Sequence, residues 1–223
     1  MKHTTSHSLF SYWNEVRRGR PAPRRFDIEP SRISHILAET LILERIDFET
    51  YRFRLAGTKV SQAFGCELRG EDFFALWERD EDRVTLEHHL SSITKRFQVG
   101  VFEFQANANG QSADIAPPAR FEMILLPLVH TKGQVDRCLG AISRAYSATA
   151  PKGGSIDNPE LTTAHLLTPD TNPDLSERST PGGTVVPLQS SIRSARIVRH
   201  ERRQFRVYDG GLAGKPKRPT FDT

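Results

Sequence analysis

The sequence predicts an α+β domain: a mostly antiparallel five-stranded sheet with helices on one face, a helix flanking it on the N-terminal side, and a flexible C-terminal extension. Three observations carry this prediction. Dense apolar/polar alternation is confined to residues 34–146. Within that span two alternating segments precede the helical ones and three follow, a β-β-α-α-α-β-β-β order in which sequence neighbours pair antiparallel. Beyond it, residues 147–190 are rich in Pro, Gly, Ser, Thr and Asp and have no sustained period, which is the composition of disorder.

The elements follow in order. Within residues 1–30, an N-terminal helix and basic linker, "SHSLFSYWNEVRR" sets Leu9, Tyr12, Trp13 and Val16 on one face at helical spacing. The segment "RGRPAPRRFDIEP" after it is basic and proline-rich, and is expected to be extended. Residues 31–146 form the folded domain. "ETLILERID" and "YRFRLAG" read as two strands of a hairpin, with Tyr51, Phe53 and Leu55 on one face and Arg52 and Arg54 on the other. "TKVSQAF" is a short helix closed by Gly65, and "EDFFALW" a further turn or helix. "DEDRVTLEHHLSSITKRF" has the clearest helical pattern: Leu86, Leu90, Ile93 and Phe97 repeat along one stripe, and acidic residues crowd its start, where they suit the helix dipole. "VGVFEFQAN", "FEMILLPLVHT" and "DRCLGAISRA" are strands, and Pro127 suggests an edge or a bulge in the second of these. Residues 147–190 read as a linker in which "ELTTAHLL" is a candidate for one turn or more of helix. Residues 191–223 are a basic tail.

The chain has 223 residues, a hydrophobic fraction of 37% and a formal charge of +4. The charge is uneven. From Arg193 to Arg218 nine Lys/Arg face two Asp/Glu, which leaves the rest of the chain near −3. Two cysteines, Cys66 and Cys138, make no disulfide framework. No apolar run approaches the roughly 20 residues of a membrane span. The N-terminus has no signal-peptide core, so a cytoplasmic protein is expected.

Catalytic and metal signatures are lacking. "GCELRG" has the glycine spacing of a phosphate loop, but Glu71-Asp72 stands where Lys-Ser/Thr is needed, and carboxylates repel phosphate. His35 and His130 are remote from each other in sequence and have no metal-ligand spacing. Asp114 and Glu122 form no recognisable acid/base pair, and there is no nucleophile–base set. No enzyme and no metal site are expected.

The run "LAGTKVSQAFGCELRGEDFFALW", with the long helix and three strands after it, resembles a PAS domain, the sensory fold of many bacterial signalling proteins. The matching positions are Leu55, Gly57, the helix 58–64, Gly65, Glu67-Leu68-Arg69-Gly70 and Phe73. With "FSYWNEVRRGRPAPRRFDIEPSRI" upstream, residues 8–146 look like an alphaproteobacterial PAS-like family that begins with a Trp helix and a P-R-R-x-D-I-x-P segment. In PAS domains of the light-oxygen-voltage type the flavin-reactive cysteine would fall at Phe73, and Cys66 lies seven residues too early, so no flavin adduct is expected. Haem-binding PAS proteins ligate iron through a helix histidine. His88 flanks the Leu86/Leu90 stripe, and a solvated or core-edge histidine is the simpler reading of it.

The resemblance implies a sensory or regulatory protein without catalysis, acting through protein–protein contact in bacterial signal transduction. Its cofactor, if it has one, is not identified by any residue pattern. Phe53, Phe73, Phe74 and Trp77 are expected to pack under the sheet, and with His88 are the candidates to line a ligand cavity. Leu9, Tyr12, Trp13 and Val16 have no partner within their own segment. They are the candidate surface for a signalling protein such as a histidine kinase, or for a second copy in a homodimer, with docking onto the sheet as the equal alternative. The tail residues Arg196, Arg199, Arg202, Arg203 and Arg206 supply a rival reading, a regulator that binds nucleic acid by phosphate contacts.

Overall fold

The computed structural model describes residues 1–47, 49–108, 118–130, 133–144 and 156–169. The tail arginines Arg196, Arg199, Arg202, Arg203 and Arg206 lie outside the described residues, as does most of the expected linker.

The helices are α1 (Thr4–Arg17), α2 (Thr58–Phe64) and α3 (Asp80–Arg96). The strands are β1 (Thr40–Arg45), β2 (Tyr51–Ala56), β3 (Val99–Ala108), β4 (Ala119–Val129), β5 (Val135–Arg144) and β6 (Ile156–Leu167). They form one six-stranded antiparallel sheet in the order β2-β1-β5-β4-β3-β6. The α+β architecture is as the sequence predicts, with one strand more.

That sixth strand is the first correction. Residues 156–167, expected as linker with a turn of helix, run antiparallel to β3 from Ala108↔Ile156 to Val99↔Leu167. Short-range composition misses it because its stability is supplied from outside. β3 donates the ladder, and Asp82 on α3 accepts the backbone N–H of Leu161 at 3.1 Å. Arg79 and Gln105 both reach Glu160.

Side chains alternate between two cores, one on each face of the sheet. The inner core holds Phe53, Phe73, Trp77, Phe102, Phe104, Met123 and the α3 stripe Leu86, Leu90 and Ile93. The outer core holds α1, the segment 22–36, and Ile124, Leu126, Leu128 and Leu139 of the sheet. The sheet is therefore a middle layer. Phe97, expected on the α3 stripe, is instead the left-handed C-cap of α3 (φ 57°), and its ring packs with the outer core.

Local chemistry accounts for the boundaries. Gly65 ends α2 with φ 70°, and the N–H groups of Gly65 and Cys66 return to Ser61 and Gln62 in a C-terminal cap. Gly57 lies against the preceding chain so closely that a Cβ would stand 2.4 Å from the Ala38 carbonyl oxygen. The β1–β2 turn is closed by Asp47, whose carboxylate accepts the N–H groups of Glu49 and Thr50 and is held below the usual carboxylate range by them. The stretch Gly70–Phe73 lies along the free edge of β2, with N–H···O bonds from Phe53 to Glu71 and from Phe73 to Tyr51. It covers a sheet edge.

Pro127 sits in a central strand, not at an edge. Its own carbonyl turns away from β5 to accept Trp13 Nε1–H at 2.9 Å. β3 pairs with β4 only as far as Leu125, so the missing proline N–H falls where no ladder partner is needed. The bulge lies next to it, between Leu128 and Val129.

The basic connector is extended only in part: Arg24, Ile28 and Glu29 have extended backbone, and Arg24 bridges Val129. Short 3-10 turns at Arg25–Asp27 and Pro30–Ile33 interrupt it, and Ala22 and Ile28 of the connector, with Ile33 and Ile36 just after it, are buried on the outer core. Asp27 organises the first turn. Burial acts to raise its pKa, but the Arg20 guanidinium at 2.6 Å and the Arg24 N–H outweigh that and hold it low.

Candidate functional site

The aromatic residues singled out from the sequence do come together. Phe53, Phe73, Phe74 and Trp77 are all buried in the inner core. Their rings form a connected series: Tyr51–Phe74 at 5.9 Å, Phe74–Phe73 at 5.5 Å, Phe73–Trp77 at 6.2 Å, Trp77–Phe104 at 5.4 Å and Phe104–Phe121 at 5.1 Å. Most of these contacts are edge-on or tilted, the geometry that aromatic quadrupoles favour. One polar atom in the series is unsatisfied. Trp77 Nε1–H is a buried donor without a hydrogen-bond acceptor.

His88 does not join them. It is exposed on α3. His89, one position on, is the histidine turned to the sheet: its ring lies 5.6 Å from Phe102 and its Nδ1 is 2.7 Å from the Thr85 carbonyl oxygen. A step of about 100° along the helix separates the two, and the sequence period does not say which one the sheet meets. No group of three His, Cys, Asp or Glu with metal-binding geometry occurs among the described residues. Cys66 is exposed, whereas Cys138 is buried and its thiol is pushed up to about 12 by desolvation, so it carries no thiolate at neutral pH.

The expected partner surface is closed within the chain. Leu9 and Trp13 are fully buried and Tyr12 and Val16 nearly so, packed on the outer face of β4 and β5. Tyr12 accepts the Glu29 N–H at 2.6 Å and donates to the Glu29 carbonyl. Arg17 lies over the Trp13 ring at 5.7 Å and reaches Asn14, Arg20 and Pro169. Leu9, Tyr12, Trp13 and Val16 therefore serve the domain's own core. A helix that reads as unpartnered in its own segment has found its partner more than 100 residues later in the chain.

Three carboxylates secure the start of α1, and no sequence motif marks them. Glu122, on the outer face of β4, is almost fully buried and accepts the backbone N–H groups of Lys2 at 2.6 Å and His3 at 3.2 Å. Glu103 pairs with the Lys2 ammonium at 2.7 Å. Glu39 accepts the Thr5 hydroxyl and pairs with Lys59 of α2 at 2.9 Å. Burial acts to raise the Glu39 pKa, and these two partners overcome it and hold the carboxyl low. The only signal available in the sequence was the alternation of β4, which puts Glu122 on the same face as Ile124 and Leu126.

Where α1, α2 and the ends of β4 and β5 converge lies a half-open cavity of about 540 Å³. Its floor is Val60, Ala63, Phe121 and Ile142, and its rim carries Thr4, Thr5, Glu39, Lys59, Gln62 and Ser143. None of the five residues expected to line a ligand cavity borders it.

The comparisons with known proteins bear on residues 1–143, which are matched by a family model described as PAS domain. The match takes in α1 and all of β1 to β5 but for the last residue. No curated protein matches the chain.

Proposed function

The chain belongs to the PAS-domain family, and from this premise we propose a non-catalytic regulatory protein of bacterial signal transduction that works by protein–protein contact. PAS domains in general sense and regulate and do not catalyse. The finer statements are ours: a cytoplasmic protein, a partner such as a histidine kinase, and a small molecule in the inner core as its signal. The observation that carries the proposal is the family match across both layers of the domain. The unsatisfied Trp77 Nε1 supports the ligand, because a bound acceptor would complete it.

With the Trp helix consumed by the fold, the contact surface moves elsewhere. Phe26 is the most exposed large apolar side chain among the described residues, at 80%, and stands between Arg25 and the ion-paired Asp27 on a turn anchored to the outer core. The burial of Leu9, Tyr12, Trp13 and Val16 leaves a homodimer to be built on another surface. The test is affinity capture from the native cell with the full chain and with Phe26→Ser. Recovery of a histidine kinase by the parent and its loss with the variant is expected. Equal recovery by both would remove Phe26 from the interface, and capture of no signalling protein by either would count against the proposal.

The nucleic-acid reading rests on the basic run Arg193–Arg218 alone. A gel shift across salt concentrations tests it, since phosphate contacts weaken steeply as salt rises.

A further inference from the structure

We propose that the exposed Phe26 ring and the arginines around it form a docking site for a short acidic segment of a partner protein, one that sets an apolar side chain beside carboxylates. The inference rests on the reading of Phe26 as a contact surface and names the chemistry of what binds there.

The ring is held in place. The turn that carries it is pinned by three contacts. Arg20 pairs with Asp27 at 2.6 Å, the Asp27 carboxylate also accepts the Arg24 N–H at 3.0 Å, and the Val129 N–H reaches the Pro23 carbonyl at 3.0 Å. The Phe26 ring leans on the His130 ring with centroids 5.4 Å apart, and still remains 80% exposed. An aromatic side chain fixed in this way loses little freedom on binding, so more of the apolar area it buries appears as affinity.

The charge around the ring is positive. Phe26 and Arg18 border a half-open cavity of about 570 Å³ at the end of α1. Two carboxylates on its wall are already neutralised, Asp27 by Arg20 and Glu15 by Arg32 at 2.8 Å. Glu29 is the third. Against it stand Arg18 in the cavity and Arg24 and Arg25 beside the ring, and none of these three makes an ion pair with a described residue. Five arginines therefore meet three carboxylates, an excess of two positive charges around an apolar ring.

Arg18 is placed there at a conformational cost. It is the left-handed cap of α1, with φ 49°, a conformation that glycine or asparagine adopts more readily. The helix dipole accounts for one cation in the last turn, and Arg17 supplies it. Arg18 adds a second guanidinium on the cavity wall.

These charges select the occupant. A guanidinium fork matches a carboxylate with two parallel N–H···O bonds. An acidic segment sets one carboxylate on Arg18 in the cavity and others over Arg24 and Arg25, while its apolar residue covers Phe26. A basic segment would add to the positive excess. A purely apolar one would desolvate the arginines without pairing them.

Capped hexapeptides with a Leu-Leu centre and Glu, Gln or Lys at the other positions test the proposal, with single-stranded oligothymidylate as a further probe. Each is titrated into the isotope-labelled full chain and followed by backbone amide shifts. Saturable shifts at Arg18, Phe26, Asp27 and His130 are expected with the Glu peptide, about tenfold weaker binding with the Gln peptide and none with the Lys peptide, the difference shrinking as salt rises. Arg18→Gln should weaken the Glu peptide about twofold to fivefold, the worth of one exposed ion pair, and leave the Gln peptide unchanged. Phe26→Ser should weaken both about tenfold, as loss of an aromatic anchor does. Equal binding of the Glu and Gln peptides, with Phe26 still required, would overturn the acidic class and leave the Phe26 surface standing. Binding indifferent to Phe26→Ser would overturn both. Preferred binding of oligothymidylate at the same amides would overturn the proposal in favour of a nucleic acid. Absence of saturable shifts with every probe would overturn the acidic docking site, and the capture experiment with Phe26→Ser decides the surface separately.

Discussion

The two faces of the sheet are closed by different means. The inner face is covered by chain that lies close by in sequence: α2, the turn at Phe74–Leu76 and α3 arrive directly after β1 and β2. Its contacts are ring on ring and ring on aliphatic stripe. The outer face is covered by α1, which meets β4 and β5 only after the chain has made its whole circuit. Apolar contact there is supplemented by directed polar contacts, Trp13 to the Pro127 carbonyl and Glu122 to the start of the helix. The non-local face needs this direction, because a single helix on a broad sheet has many apolar placements of similar energy and few that satisfy its polar ends.

The comparison predicts that both faces are essential to stability. Trp13→Ala on the outer face and Phe73→Ala on the inner face should each destabilise the domain by roughly 3–5 kcal/mol in denaturant unfolding. A much smaller loss for Trp13→Ala would make α1 an accessory to the domain. Trp13→Ala is accordingly a stability variant and not a probe of partner binding. Next in size comes the polar anchor. Glu122→Ala leaves the Lys2 and His3 N–H groups without an acceptor and should cost roughly 1–3 kcal/mol, measured the same way.

Much of this comparison was legible in the sequence, and unevenly. The inner face could be read because its partners announce themselves by period: Leu86, Leu90 and Ile93 on α3, and Phe53 alternating with Arg52 and Arg54 on β2. For α1 the period gave the apolar face of Leu9, Tyr12, Trp13 and Val16 but not its destination, because nothing in a local pattern encodes a contact with Pro127. β6 was missed for the same reason: "ELTTAHLL" has no strong strand alternation, and β3 and Asp82 hold it in place. Pro127 was read as a sign of an edge or a bulge: the strand is central, a bulge does lie next to the proline, between Leu128 and Val129, and Pro127 itself stands just past the end of β3's reach along β4. The cavity was invisible because its wall is drawn from four elements, none with a motif.

Smaller effects sharpen the contrast. The Glu39 link between α1 and α2 depends on pH. Its carboxyl is held below the usual value in the folded chain, so its contribution is complete above the ordinary glutamate range and disappears as pH falls through the lowered pKa. Glu39→Gln should flatten the acid limb of a stability-versus-pH curve relative to the parent. The smallest effect belongs to the exposed member of the histidine pair. His88→Ala should change stability by no more than about 0.5 kcal/mol, as surface substitutions do, whereas His89→Ala removes a ring from Phe102 and should cost more.

Native-state hydrogen exchange of the intact chain tests the central claim, that α1 is a structural layer of this PAS domain and not a free docking helix. The amides of Leu9 to Val16 should exchange through the same global opening as those of β4 and β5, with protection of the same order. Exchange of α1 many-fold faster than the strands beneath it would contradict the account, and would return Leu9, Tyr12, Trp13 and Val16 to the partner surface their spacing suggests.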